Sequence, residues 1–302
     1  MFVVFGATGQ TGSAVANTLL EKKLPVRVVL RLAQSATAKH PNKAADAWRA
    51  KGADVAFADV TDIGAMTKAL NGAIAAYAMN PPVYHVADMF AVAKNIGAAY
   101  VEAIAQSSVQ KVVLLSSIGS QHATGTGNIL TTYFLENIFG TLTIPVTFLR
   151  AAGFMENWNG VAAVAAEKGI LPSFYSPLDR KLPMVSAVDI GRTAAQALTK
   201  NWTGKRIIEL HGAADYSPND VAAAFAVALK RDVQAVVLPE SEWQATTTSF
   251  GFSPEASDSY SEMMRGFNSG HIIFENNGTE TRKGQTTLEA FAAETVKAQN
   301  LT

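Results

Sequence analysis

The chain has 302 residues, 48% hydrophobic and 17% charged, so it can build a sizeable core and lacks the composition of a disordered protein. Lys+Arg and Asp+Glu both total 25, which argues against nucleic acid as a main partner, because phosphate binding rests on concentrated cations. Cysteine is absent, excluding disulfides and thiol chemistry, and neither a signal peptide nor a run of about 18 apolar residues is visible, so a cytoplasmic protein without a membrane span is expected.

Phe2 to Phe5 is a continuous apolar run, the pattern of a strand buried on both faces of a parallel sheet. Gly6-Ala7-Thr8-Gly9-Gln10-Thr11-Gly12 follows, and then an amphipathic helix to about Lys22 with Val15, Leu19 and Leu20 on one face. Strand, glycine turn and helix in that order point to a dinucleotide, whose pyrophosphate lies against backbone N–H groups at the positive end of a helix. Gly6 then makes the turn, Gly9 allows close approach and Gly12 lets the helix pack on the strand, with Thr8, Gln10 and Thr11 as further cofactor contacts. An ordinary strand-to-helix loop is the competing reading.

A second strand, Val26 to Leu30, ends at Arg31, where a cofactor's adenosine ribose would lie. An acid there accepts from the 2′-hydroxyl of NAD, whereas an Arg suits a 2′-phosphate; no acid follows until Asp46, so NADP(H) is favoured, with Lys39 as an assisting cation. The alternative is a solvated charge at a strand end. The third strand, about Asp54 to Ala58, leads into Asp59-Val60-Thr61-Asp62 and a helix from about Ile63, with Asp62 as its N-cap. Asp59 and Val60 border the adenine in one reading, and Asp59 only shapes the turn in the other. A fourth strand, Ala73 to Ala78, stops at Met79-Asn80-Pro81-Pro82, where two prolines turn the chain out of the sheet beside the expected nicotinamide. The fifth, Lys111 to Leu115, ends at Ser116-Ser117-Ile118-Gly119-Ser120. All these turns fall at carboxyl ends of parallel strands, where ligands bind in open α/β sheets.

Ile144 to Leu149 reads as a sixth parallel strand, after which the alternation becomes irregular. Helices are expected near Gly160 to Lys168, from Ala187 or Val188 to Leu198, over Ser217 to Leu229, near Glu240 to Thr248, over Pro254 to Phe267 and from Thr286 or Thr287, with strands at Arg206 to Leu210 and Val233 to Leu238. The fold class is therefore α/β: a Rossmann-type doubly wound parallel sheet with a smaller, mainly helical C-terminal substrate lobe. Residues 1–153 are expected to bind NADP, with returning segments near 184–215, and residues 154–302 to form most of a discontinuous substrate lobe. The five histidines show no zinc-like pairing, so no metal site is expected.

The chain resembles the NmrA-like family of atypical short-chain dehydrogenase/reductase proteins. The matching pieces are GATGQTG at Gly6, the strand ending in Arg31, FADVTD at Phe57, VVLLSSIGS at Val112, IPVTFLRAAGFMEN at Ile144, MVSAVDIG at Met184 and GQTTLEAF at Gly284. The resemblance implies NADP(H) in a cleft between a Rossmann domain and a substrate lobe. It also implies one of two roles: reduction of quinones, azo dyes, triphenylmethane dyes or phenolic metabolites, or dinucleotide sensing by a non-catalytic regulator that binds a partner protein. A small aromatic substrate follows from the first role, and homo-oligomerisation is left open.

Two family features are missing. No tyrosine has a lysine four residues later, Tyr133 being followed by Asn137, and the lysine that isoflavone-reductase relatives carry four before a helix Glu is Thr132 here if Glu136 is that residue. An electron-poor quinone or azo acceptor needs no positioned acid, because water can supply the proton, so a positioned nicotinamide and an aromatic pocket suffice. Pro82, Tyr84, Phe154, Met155, Trp158 and Tyr175 are the expected substrate lining, with Ser117, His122 and Tyr133 as catalytic candidates. The plain alternatives are core packing for Phe154 and Met155, a solvated loop position for His122, and a loop cap for Ser117.

Overall fold

Phe2–Phe5 forms β1, buried at all four positions, and pairs in parallel with β2 (Val26–Leu30) on one side and β4 (Ala75–Ala78) on the other. The computed structural model describes residues 1–31 and 43–301. Between these strands lie α1 (Gln10–Glu21), α2 (Lys43–Ala50), β3 (Asp54–Phe57) and α3 (Ile63–Leu70). The chain continues through α4 (Met89–Ala105), β5 (Val112–Ser117), α5 (Leu130–Gly140) and β6 (Val146–Ala151). Next come β7 (Gly153–Phe154), α6 (Ala162–Lys168), β8 (Ile170–Ser173), β9 (Leu182–Val185), α7 (Ala187–Thr199) and β10 (Lys205–His211). It ends with β11 (Asp215–Tyr216), α8 (Pro218–Leu229), β12 (Gln234–Val237), α9 (Glu240–Ser249), α10 (Pro254–Ser269), β13 (Glu280–Lys283) and α11 (Leu288–Ala298).

The main sheet runs β13-β10-β6-β5-β4-β1-β2-β3, and every neighbouring pair is parallel. Strands β2 and β3 extend to one side of β1 and the later strands to the other, so the order reverses between β1 and β4. In open α/β sheets the carboxyl ends of the strands at such a switch point form the crevice where ligands bind. Helices cover both faces: Val15 and Leu19 of α1 join Ile190 and Ala194 of α7 in one core, while Met66, Ile96, Tyr100 and Phe139 of α3, α4 and α5 fill the other. A Cβ at Gly191 of α7 would come within 2.4 Å of the Ala14 Cβ, so α1 and α7 approach as closely as glycine permits.

Sequence-derived caps are present. Asp62 accepts from Ala65 N at 2.9 Å, Thr287 caps α11, and Ser217 and Asp220 exchange reciprocal bonds around Pro218 at the start of α8. The carboxyl-terminal half holds more strand than its sequence signals: β11-β9-β7 form one small sheet and β12-β8 another. Prolines occur inside β8 and β9, and β7 and β11 have two residues each, too short for an alternation to register. The edge strand β13 is Glu280-Thr281-Arg282-Lys283, mostly solvated, so it carries no apolar pattern at all. Among the described residues no helix is long and apolar enough to cross a membrane.

Candidate functional site

The glycine turn has the geometry its spacing implies. Gly6 sits at φ +70°, a backbone that only glycine adopts readily, and its carbonyl accepts from Gly9 N at 2.9 Å. A Cβ at Gly12 would lie 2.3 Å from the Gly6 oxygen, so Gly12 is required by packing. At Gly9 the nearest atom would be that same oxygen at 3.4 Å, an ordinary contact, so the protein itself places no steric demand on this position. Gly9 is also the N-cap of α1, with no side-chain cap and no acid in the first turn. The helix end therefore keeps free N–H groups and an unneutralised positive dipole, a cradle suited to a pyrophosphate. Thr8, Gly9 and Gln10 are exposed on it, and Thr11 is buried behind, beside the Tyr77 hydroxyl.

Around this cradle the strand ends carry the other expected contacts. Arg31 is exposed at the end of β2, close enough to Asp59 for its charge to help hold that carboxyl below the usual range. The larger cause is the Thr61 hydroxyl, which donates to Asp59 Oδ1 at 2.6 Å while Thr61 N donates to the same oxygen at 3.0 Å. Asp59 thus shapes its turn and still faces outward, beside half-buried Val60. Lys39 lies outside the described residues. At the end of β4, Met79 rests against Gly6, a Cβ there reaching its side chain at 3.0 Å, and Met79 O accepts from the Tyr100 hydroxyl. Asn80 Oδ1 is buried with no hydrogen-bond partner. A carbonyl oxygen left orphaned beside the crevice fits a ligand amide N–H, and Pro81 keeps that stretch clear of the sheet ladder.

The catalytic candidates stand apart from one another in chemistry. Ser117 Oγ donates to Ile118 O at 3.1 Å, the loop-cap arrangement. His122 lies 4.3 Å, ring centroid to centroid, from His271, and burial, then that neighbour, push its pKa below the ordinary value of 6.5. At neutral pH it is uncharged and a poor acid. Tyr133 is half-buried, with its carbonyl accepting from Asn137 Nδ2 at 2.9 Å.

Beneath them runs a buried polar network whose members the sequence reading left unassigned. Arg150 of β6 is 4% exposed and makes a two-point bridge to Glu136, Nε to Oε1 at 2.9 Å and Nη2 to Oε2 at 2.7 Å, and a third bond to Glu275 at 2.6 Å. Burial opposes its charge, but the hydrogen bonds and attraction from Glu136, then Glu275, outweigh it and raise its pKa. Ser116 Oγ donates to Glu136 Oε1 at 2.5 Å, and Ser120 meets the Thr132 hydroxyl at 2.6 Å. Thr132, four residues before Glu136, thus presents a hydroxyl bonded to Ser120. An arginine inside an otherwise apolar parallel strand was the available signal, since a charge there requires a partner. Likewise Glu209 of β10, fully buried, accepts from Glu275 N, Asn276 N and the Thr279 hydroxyl, which ties the 275–279 segment to the sheet.

Of the expected lining, Pro82 is exposed and Tyr84, Phe154 and Tyr175 are half-buried. Met155 corrects its expected place: it has no exposed surface and packs in the core behind the site, because the turn after β6 directs it inward. Trp158, 5% exposed, backs Tyr175 at a ring separation of 5.9 Å. Glu156, between them, accepts from Ala187 N at 2.9 Å and Ser186 Oγ at 3.1 Å at the start of α7. Its other oxygen is buried without a partner, and burial pushes its pKa up. The sequence reading missed Phe174, Phe252 and Tyr260, which complete an aromatic cluster with Tyr84 and Tyr175.

The NmrA-like family model matches residues 1–292. The chain belongs to the NmrA-like family. Among its relatives is an NAD(P)H azoreductase from Xenophilus azovorans, 28% identical over 266 residues that cover 87% of this chain and 86% of that protein. Among solved structures, the NADPH-dependent quinone oxidoreductase QOR2 of Escherichia coli in complex with NADPH superposes with a TM-score of 0.75 at 22% identity, covering 97% of this chain and 99% of that one. Triphenylmethane reductase of Citrobacter sp. gives 0.78 at 18% identity, covering 98% and 99%. At these identities the structural likeness establishes that the NmrA-like chain shares their Rossmann-type fold.

Proposed function

We propose that this NmrA-like protein is an NADPH-dependent oxidoreductase that passes hydride to a flat, electron-poor acceptor such as a quinone or an azo compound. The observation that carries the reading is the crevice itself: a helix N-terminus with free donors, an orphaned Asn80 carbonyl and a set of aromatic side chains gather at one end of the sheet. The reductases among the named relatives support turnover over the sensor reading. Residues 1–153 with the returning strands are assigned to the cofactor, and most of 154–302 to the acceptor.

Gly6, Thr8, Gly9, Gln10, Thr11 and Gly12 would hold the pyrophosphate, Arg31 the 2′-phosphate, Asp59 and Val60 the adenine edge, and Met79, Asn80 and Pro81 the nicotinamide side. The bound dinucleotide supplies hydride. Pro82, Tyr84, Phe154, Trp158 and Tyr175 would orient the acceptor and exclude water around it. A quinone takes up one hydride and one proton and leaves as the hydroquinone. With Ser117 bonded to a backbone carbonyl and His122 neutral, neither is a ready acid, and the proton comes from solvent.

The test is consumption of NADPH by purified protein, followed with and without members of a quinone and azo-dye panel. Turnover that requires the acceptor supports the reading. Tight NADPH binding with no turnover across the panel overturns it.

A further inference from the structure

Three phenol side chains from three separate segments converge on one aromatic cluster above the crevice. Tyr84, just after the prolines that follow β4, stacks on Phe252 at 4.4 Å with an interplanar angle of 24°. Phe252 meets Tyr260 of α10 edge-on at 5.7 Å, and Tyr260 meets Phe174 at 5.2 Å. The next residue, Tyr175, packs edge-on against Phe267 at 5.7 Å and against Trp158. A backbone bond from Ser253 N to Tyr84 O at 2.8 Å clamps the α9–α10 turn onto the loop after β4, which fixes Tyr84 and Tyr260 in one frame.

All three rings are part-buried, and none of the three hydroxyls has a hydrogen-bond partner among the described residues. Each hydroxyl oxygen keeps some accessible surface, so a polar ligand atom can reach a donor that the protein itself leaves unpaired. Burial alone raises the pKa of Tyr84 and pushes Tyr175 up to about 12; for Tyr260, burial comes first and the neighbouring Tyr175 and Tyr84 add to it. No acidic or basic side chain contributes to the shift at any of the three.

We propose that Tyr84, Tyr175 and Tyr260 are the hydrogen-bond donors that recognise the acceptor, and that they select a neutral carbonyl-bearing aromatic such as a quinone over a cationic dye of similar size. The proposal rests on the oxidoreductase reading and names the acceptor class for the same crevice. Aromatic faces and edges hold a flat ring, and the carbonyl oxygens of a quinone satisfy the unpaired phenols. A triarylmethane cation lacks such an oxygen and leaves those donors unpaired when it covers them. The hydroquinone product remains compatible, since phenol oxygens also accept.

The experiment compares a neutral naphthoquinone with a cationic triarylmethane dye as acceptors at saturating NADPH, for the wild type and for Tyr84→Phe, Tyr175→Phe and Tyr260→Phe. Loss of one neutral hydrogen bond lowers the ratio of kcat/KM for quinone over dye by about two- to tenfold, carried by KM for the quinone. A purely structural role would change both acceptors alike, and an unchanged ratio in all three variants overturns the proposal. If no acceptor is turned over, the oxidoreductase reading fails, and quenching of tryptophan fluorescence by the naphthoquinone in NADP⁺-loaded protein decides the site separately. Binding weakened in the triple variant supports it; absent binding, or binding the triple variant leaves unchanged, overturns it.

Discussion

Gly9 and Gly12 belong to one motif yet should fail in different ways when each is changed to alanine. At Gly12 the new methyl would stand 2.3 Å from the Gly6 oxygen and 2.5 Å from its carbon, so the turn backbone must move by roughly 1 Å to restore ordinary contact. Such overpacking costs about 1–3 kcal/mol, and the better helix propensity of alanine returns up to about 1. At roughly 1.6 °C per kcal/mol for a chain of this length, the net loss lowers Tm by up to about 5 °C. Gly9 has φ −93° and ψ 174°, open to alanine, and its methyl would meet only the Gly6 oxygen at 3.4 Å. Stability then changes by at most about 1 kcal/mol, because a small capping loss is offset by the stiffer unfolded chain. If this turn holds the pyrophosphate as proposed, the methyl would crowd it, and a penalty of about 1–3 kcal/mol would weaken NADPH binding by roughly 5- to 150-fold. Thermal melts without ligand and NADPH titration by calorimetry measure the two effects. Equal loss of Tm in both variants with unchanged affinity in Gly9→Ala would refute the division of labour.

Three further outcomes are expected. Arg31→Ala should weaken NADPH about tenfold more than NADH; equal losses would remove Arg31 from the 2′-phosphate site. Arg150→Met strands Glu136 in a buried setting and should cost about 3–5 kcal/mol, or roughly 5–8 °C in Tm, with much of it regained by adding Glu136→Leu; a melt within 2 °C or so of wild type would contradict the buried pair. Glu156 has a raised folded pKa, so its contribution to stability is full below the ordinary value of 4.5 and is lost as pH rises through the folded value. Glu156→Gln keeps an acceptor for Ser186 and Ala187, so its denaturation curve should match wild type at acid pH and exceed it at neutral pH; curves that run parallel across the range would rule this out.

The parallel strands and the cofactor turn are legible because their signals are local. A run such as Phe2 to Phe5 must be buried on both faces, Gly6 answers to its own positive φ, and Gly12 answers to the backbone of Phe5 and Gly6. The Ser217-Pro218 start and the Asp62 cap are readable for the same reason. The polar network around Arg150 was only half legible: an arginine in an apolar strand demands a partner, but its partners lie 14 and 125 residues away. The edge strand β13 gives no sign in its residues, since its pairing with β10 uses backbone groups alone while its side chains stay in water.

The acceptor side belongs to tertiary structure for a related reason. Met155 and Phe154 are neighbours in an apolar stretch, and only the direction of the turn after β6 sends the first into the core and leaves the second half-exposed. Tyr260 reads from sequence as one residue of a polar helix; only packing of α10 against Phe174 and Phe252 brings its hydroxyl near Tyr84 and Tyr175. Residue types and short-range spacing therefore suffice to specify a nucleotide fold and its phosphate turn, because those features depend on backbone contacts within one strand-turn-helix unit. The proposed acceptor chemistry depends on side chains from distant segments, and their convergence exists only once the chain has closed around its core.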